Sequence, residues 1–163
     1  MGWGAPAFIG FLVVQRLGEL MLARRNTRRL LARGAVEHGG AHYPLIVALH
    51  GGWLAAIAIL GWNRPVQAGW LALFALLQLA RIWVLATLGE RWTTRIIVLD
   101  KPLVRRGPFR LLRHPNYAVV VLEIFTASMV LGLSGVALAF SLLNAALLLV
   151  IRIPAENAAL RRQ

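Results

Sequence analysis

GERWTTRIIVLDKPLVRRGPFRLLRHPNY, from Gly89 to Tyr117, is the longest polar interval in a chain that is otherwise mostly lipid-soluble. Arg91, Arg95, Lys101, Arg105, Arg106, Arg110 and Arg113 stand in it against Glu90 and Asp100 alone. What flanks it decides the fold. Val66 to Leu88 is a mostly apolar run, long enough to cross ~30 Å of hydrocarbon with some tilt. Tyr117 to Leu133 is a second run, at the short end of the spanning range. The interval itself reads as a loop: Arg95 to Leu99 has the look of a short strand, Asp100-Lys101-Pro102 ends it, and Gly107-Pro108 breaks the chain again before Phe109.

Further out, the same alternation continues. Ala5 to Ala23 and Pro44 to Trp62 are two more apolar runs, and Val136 to Ile153 is a fifth. Between the first two lies Arg24 to Arg33, a basic loop or surface helix, followed by the turn residues Gly34, Gly39, Gly40 and Pro44. Asn63-Arg64-Pro65 and Gly132-Leu133-Ser134-Gly135 are tight turns, so the last two runs form an antiparallel helical hairpin. Arg152 to Arg162 closes the chain as a short polar helix. The expectation is an all-α polytopic membrane protein of about five transmembrane helices, one domain over residues 1–163, with the catalytic part at about 88–160.

Composition agrees. Of 163 residues, 59% are hydrophobic and 15% charged, too apolar for an ordinary soluble fold. The net charge of +12 sits between apolar runs rather than along one exposed face, which argues against nucleic acid and for loops on an anionic leaflet. Cysteine is absent, so disulfides and thiolate metal sites are excluded. No basic region precedes the first apolar run, and a cleaved signal peptide is not expected. The loop after the first run, the loop after the third and the C-terminus are rich in arginine, whereas the turn at Asn63 carries only Arg64 and the turn at Gly132 carries no basic residue. Five spans put the three basic segments on one side, expected to be the cytoplasm, with the N-terminus outside across a bacterial inner membrane.

Several polar residues stand inside these runs. Arg16 and Glu19, three apart, share a helical face and can pair, or they can line a ligand cavity. Gln78 and Arg81 share a face in the third run. Glu123 lies at span depth as a candidate catalytic group or a structural hydrogen-bond partner, and Asn144 lies in the fifth run. His38, His42 and His50 prompt a metal or haem test. Gly39, Gly40 and Pro44 argue against one continuous helix through them, so interfacial and packing roles are preferred and no metal is expected. The basic loop, the end of the fifth run and the closing helix belong to one face, which brings Arg113, His114, Asn116 and Tyr117 towards Arg152 and Glu156. These residues read either as a pocket for a polar cofactor with an apolar mouth, or as an anchor with an interfacial aromatic belt. No glycine-rich dinucleotide turn, nucleophile elbow or zinc-protease pair occurs.

Leu88-Gly89-Glu90-Arg91-Trp92-Thr93, Leu103 to Arg110, Arg113-His114-Pro115-Asn116-Tyr117 and Arg152-Ile153-x-x-Glu156, in that order, resemble the isoprenylcysteine carboxyl methyltransferase family over Leu88 to Leu160. Arg16-x-x-Glu19 and His42-Tyr43-Pro44 resemble the bacterial branch found beside type III polyketide synthases. The resemblance implies S-adenosylmethionine as methyl donor, bound without a dinucleotide-type domain. Carried over by position, Arg113, His114, Pro115, Asn116 and Tyr117 would cradle it together with Arg152 and Glu156. Glu156 suits the donor's α-amino group, an arginine its carboxylate, and Tyr117 the adenine face. Two departures stand out: Asn157 replaces the second of two consecutive acids, and Ala118 replaces a glycine.

Methyl transfer to oxygen needs alignment more than a strong base, and His114, Glu123 or Arg152 would assist catalysis. The resemblance implies a lipophilic acceptor. A long-chain polyketide such as an alkylpyrone or alkylresorcinol is preferred over an isoprenoid-type carboxylate. A phospholipid amine and a non-catalytic, possibly haem-bearing membrane subunit are the alternatives.

Overall fold

The computed structural model describes residues 2–100 and 102–161; Lys101 of the polar interval and Arg162 of the closing helix lie outside them. Its helices are α1 (Gly4–Ala32), α2 (Tyr43–Gly61), α3 (Ala68–Leu88), α4 (Pro115–Val130), α5 (Ser134–Leu147) and α6 (Ile153–Leu160). By length and composition four stretches can cross a membrane: Gly4–Ala32, Gly40–Gly61, Ala68–Arg91 and Ser134–Leu160, with α4 as a shorter apolar helix beside them. The chain is an all-α polytopic membrane protein.

Proline sets two helix starts. Pro44 and Pro115 occupy the first two positions of α2 and α4, where a missing N–H removes no helical hydrogen bond. Gly89 ends α3 at φ +54°, its N–H bonding Leu85 O.

Three boundaries differ from the sequence expectation. Of the two readings of the basic run Arg24 to Arg33, the helix holds, but as part of the first span and not a separate element: α1 continues through it to Ala32, because nothing between Ala23 and Ala32 breaks a helix. Likewise α5 and α6 are one rod, joined by a π-helical turn at Leu148–Arg152. Pro154 explains that turn, since its ring would press on the carbonyl of Val150 in a regular helix and the wider turn relieves it. Third, the strand at Ile96–Val98 (β2) has a partner that hydropathy does not announce. Val36–His38 (β1) pairs with it antiparallel, Val36 opposite Val98 and His38 opposite Ile96.

The described elements divide along the bundle axis. At one end Phe8, Leu12, Trp53, Ile57, Phe74, Ile124, Val130 and Leu131 form an apolar core, with Phe8 edge-on to Phe74 at 5.3 Å. The other end is basic and carries the β1–β2 ladder. There Asn26 donates to the Trp92 carbonyl at 2.9 Å, Arg29 and Arg33 pair with Glu90, and Arg95 pairs with Glu37 while lying over the Tyr43 ring. Gly107, at φ +57°, starts a short turn packed so close to α3 that a Cβ there would stand 2.7 Å from Thr87 Oγ1.

Between the two ends sits a layer of charge. Glu123 on α4 has no solvent exposure (0%) and accepts four hydrogen bonds. Gln78 Nε2 and Arg81 Nε, both at 3.0 Å, reach Oε1, while Arg16 Nη2 at 2.8 Å and Arg81 Nη2 reach Oε2. Arg16 also pairs with Glu19 at 2.8 Å, and Gln15 bridges Glu19 and Gln78. Two arginines balance two glutamates, so the layer is neutral. Arg81 therefore points into the bundle rather than snorkelling out.

Removing one member leaves a buried charge uncompensated. Glu123→Ala should lower stability by about 3–5 kcal/mol. Arg29→Ala, which breaks a pair about half exposed, should cost no more than about 1 kcal/mol. Thermal unfolding of both variants in detergent checks the contrast.

Candidate functional site in the basic half of the bundle

The charge layer forms part of the wall of a cavity of about 440 Å³ that runs on to the basic end. That volume lies within the range of small-molecule sites. Arg113, His114, Asn116, Tyr117, Arg152 and Glu156 all line it. Pro115 does not, but it opens α4 beneath them.

The polar groups at this end are held by three chain segments. Tyr117, from the first turn of α4, donates its hydroxyl hydrogen to Glu156 of α6 and accepts from Arg152 Nε at 3.2 Å. Arg152 Nη2 donates to the Thr94 carbonyl, in the polar interval, at 2.8 Å. Trp92 Nε1 donates to Asn116 Oδ1 at 3.3 Å, and the rings of His114 and Tyr117 stack at 5.5 Å. At the rim Arg113 donates to Asn157 Oδ1 at 3.2 Å, so the amide at the position of the missing acid still accepts a hydrogen bond.

The π turn matters here. It lets Arg152, at its last position, be 5% exposed and reach both Tyr117 and Thr94.

Two donors or acceptors in this group are buried without a partner, Arg152 Nη1 and His114 Nε2. Burial without a hydrogen bond is costly, and such atoms mark places where a ligand completes the set. The residues present fit S-adenosylmethionine: Glu156 offers a carboxylate for an ammonium group, Arg152 Nη1 an unused guanidinium N–H for a carboxylate, and the His114–Tyr117 stack a flat face for a purine.

Glu123 is placed differently from the other candidates. It lies behind Arg16 and Arg81 rather than on the cavity wall, and its four bonds occupy both oxygens. The histidines also separate: His38 is on β1, His42 in the turn before α2 and His50 within α2. Among the described residues no three His, Cys, Asp or Glu side chains gather as metal ligands.

Three lining groups carried little signal in the sequence: His50, Asn144 and Thr94. Thr94 contributes a backbone carbonyl, which residue identity cannot announce. His50 and Asn144 are lone polar residues in apolar runs, and only the packing of α2 against α5 shows that they meet the same cavity.

The wall between α1 and α2 is apolar, with Val13, Leu17 and Leu20 on one side and Val47, Gly51 and Leu54 on the other. Leu17 and Val47 also face outward, 55% and 49% exposed. The cavity thus touches polar chemistry at the basic end and the lipid-facing surface along this seam.

Comparison with known proteins gives the chain's family. Residues 70–162 match the isoprenylcysteine carboxyl methyltransferase (ICMT) family. The chain is 40% identical over 159 residues, 94% of each chain, to the uncharacterized protein YpbQ of Bacillus subtilis. It is 30% identical over 110 residues, 63% of each chain, to an uncharacterized protein of Haemophilus influenzae. No solved structure matches. Members of the ICMT family use S-adenosylmethionine as methyl donor. The matched region contains all of the donor-side candidates, from Arg113 to Glu156, and the chain belongs to the isoprenylcysteine carboxyl methyltransferase family of membrane methyltransferases.

Proposed function

We propose that this chain is an S-adenosylmethionine-dependent methyltransferase that O-methylates a lipophilic acceptor. The observation that carries the reading is the pair of unpartnered buried groups, Arg152 Nη1 and His114 Nε2, beside Glu156 and Tyr117 in a cavity that continues to a lipid-facing apolar seam. The donor's sulfonium supplies the methyl group and a neutral sulfide as leaving group. Glu156 holds its ammonium, Arg152 its carboxylate, and Arg113, His114, Pro115, Asn116 and Tyr117 shape the rest of the donor site. His114 and Arg152 act from the donor side of the transfer, and Glu123 acts through Arg16 and Arg81 by fixing where they stand.

The β1–β2 ladder lies at the same basic end as the polar cluster, and the wall between α1 and α2 is hydrocarbon. The arginine distribution supports a basic end and C-terminus in the cytosol and an N-terminus outside, across a bacterial inner membrane. A long-chain polyketide, alkylpyrone or alkylresorcinol, suits the seam; an isoprenoid-type carboxylate is the second choice.

Detergent-purified protein should bind S-adenosylmethionine and S-adenosylhomocysteine in calorimetry. Failure of folded protein to bind either would remove the reading. Glu156→Ala should weaken binding by about tenfold or more, the cost of losing one charge-assisted bond, with the thermal transition retained. Gly51 has open space where a Cβ would stand. Gly51→Leu should therefore fill the seam, raising KM for a lipid acceptor while donor affinity stays unchanged.

A further inference from the structure

Two polar groups in the deeper half of the cavity remain unused by the donor site. Asn144 on α5 is fully buried, and neither its Oδ1 nor its Nδ2 has a hydrogen-bond partner, although the residue lines the cavity. A buried amide with both ends unsatisfied costs free energy comparable to lost hydrogen bonds.

His50 on α2 lines the same cavity. Its Nδ1 lies 2.9 Å from the Ile46 carbonyl, four residues earlier on the same helix. A carbonyl oxygen only accepts, so Nδ1 carries the hydrogen, and Nε2 of the neutral ring is a free lone pair.

The two groups lie at one level of the bundle. Helices α2 and α5 run antiparallel and meet where a Cβ on Gly52 would stand 3.7 Å from the Phe140 ring. One turn from Phe140 towards the basic end is Asn144, and two residues from Gly52 in the same direction is His50. Depths along the axis differ by about 3 Å at 1.5 Å per residue. Asn144 precedes Arg152 by two helical turns, about 12 Å, so the pair sits beyond the donor groups, where an acceptor would meet the transferable methyl. The charged groups around His50 are Arg16 and Glu19 from α1 and Arg81 from α3, with Glu123 of α4 behind them, and these balance to zero.

Resting on the methyltransferase reading, we propose that His50 and Asn144 form the acceptor site and select a hydroxyl group, with His50 Nε2 as general base and the Asn144 amide holding the acceptor oxygen. The donor–acceptor pattern makes the selection. A hydroxyl gives its hydrogen to Nε2 and accepts from Asn144 Nδ2 on the same oxygen. A carboxylate has no hydrogen to give and meets a lone pair instead; an ammonium finds no net negative charge there.

The step balances. The acceptor O–H bond breaks and its proton goes to His50 Nε2, leaving the electron pair on oxygen. That oxygen forms the new O–CH₃ bond as the C–S bond breaks, and the pair of that bond returns to sulfur, cancelling its charge. His50 then loses its proton to water at the basic end.

The test uses full-length protein in nanodiscs, with pentadecylresorcinol and palmitate as probes. Affinity for S-adenosylhomocysteine comes first and should be unchanged in His50→Gln and Asn144→Ala. Asn144→Ala should weaken binding of pentadecylresorcinol to the S-adenosylhomocysteine-loaded protein about tenfold, one buried hydrogen bond, with no turnover needed for the readout. His50→Gln should lower kcat with pentadecylresorcinol about a hundredfold, the lower range for general-base catalysis. It should also abolish the rise in rate as pH passes through the range where imidazole loses its proton. An unaltered pH profile in His50→Gln, unaltered resorcinol binding in Asn144→Ala, or tighter wild-type binding of palmitate than of pentadecylresorcinol overturns the acceptor assignment while leaving the donor reading intact. Wild-type protein that binds no S-adenosylhomocysteine removes both.

Discussion

Glu123 is the constraint on which the rest depends. A carboxylate at mid-bilayer is tolerated only when its charge is matched and its lone pairs are filled. Here four donors from α1 and α3 converge on it, and the geometry of a bidentate arginine leaves little freedom in how those helices stand beside α4. The register of three helices is thereby tied to one pair of oxygens. Glu19 completes the neutrality, so the layer can border a cavity without presenting a net field to whatever enters it.

Below that layer the bundle closes on apolar side chains; above it, the bundle opens. The opening follows from helix length and from proline. Sixteen residues of α4 reach about 24 Å, short of a full hydrocarbon thickness of ~30 Å. The π turn forced ahead of Pro154 brings Arg152 inward onto Tyr117 and Thr94. The polar cluster proposed to hold the donor thus has the apolar core of the bundle on one side and basic loops on the other.

The polar cluster at the basic end was legible because its residues sit in short stretches. Arg113 to Tyr117 and Arg152 to Glu156 each place several polar side chains within one or two turns, and the structure brings both stretches to one cavity. The spans were legible for the same local reason, and so was the shared basic end. Asn144 and His50 were another matter. Each is one polar residue in an apolar helix, where packing, snorkelling and ligand binding all read alike. The ladder partner of Ile96–Val98 was hidden too, because a three-residue strand such as Val36–His38 carries almost no periodicity.

Hydropathy, proline positions and arginine placement determined by themselves that the chain crosses a membrane about five times and gathers its basic segments at one end, since each of these is a property of adjacent residues. Only the tertiary structure decided which polar groups are satisfied and which are left over. Glu123 ends with four partners and Asn144 with none, although both are single polar residues in apolar helices. The difference is a matter of which helix faces which. That is fixed by contacts between residues 42 to 107 positions apart in the cluster around Glu123, and no local pattern records it.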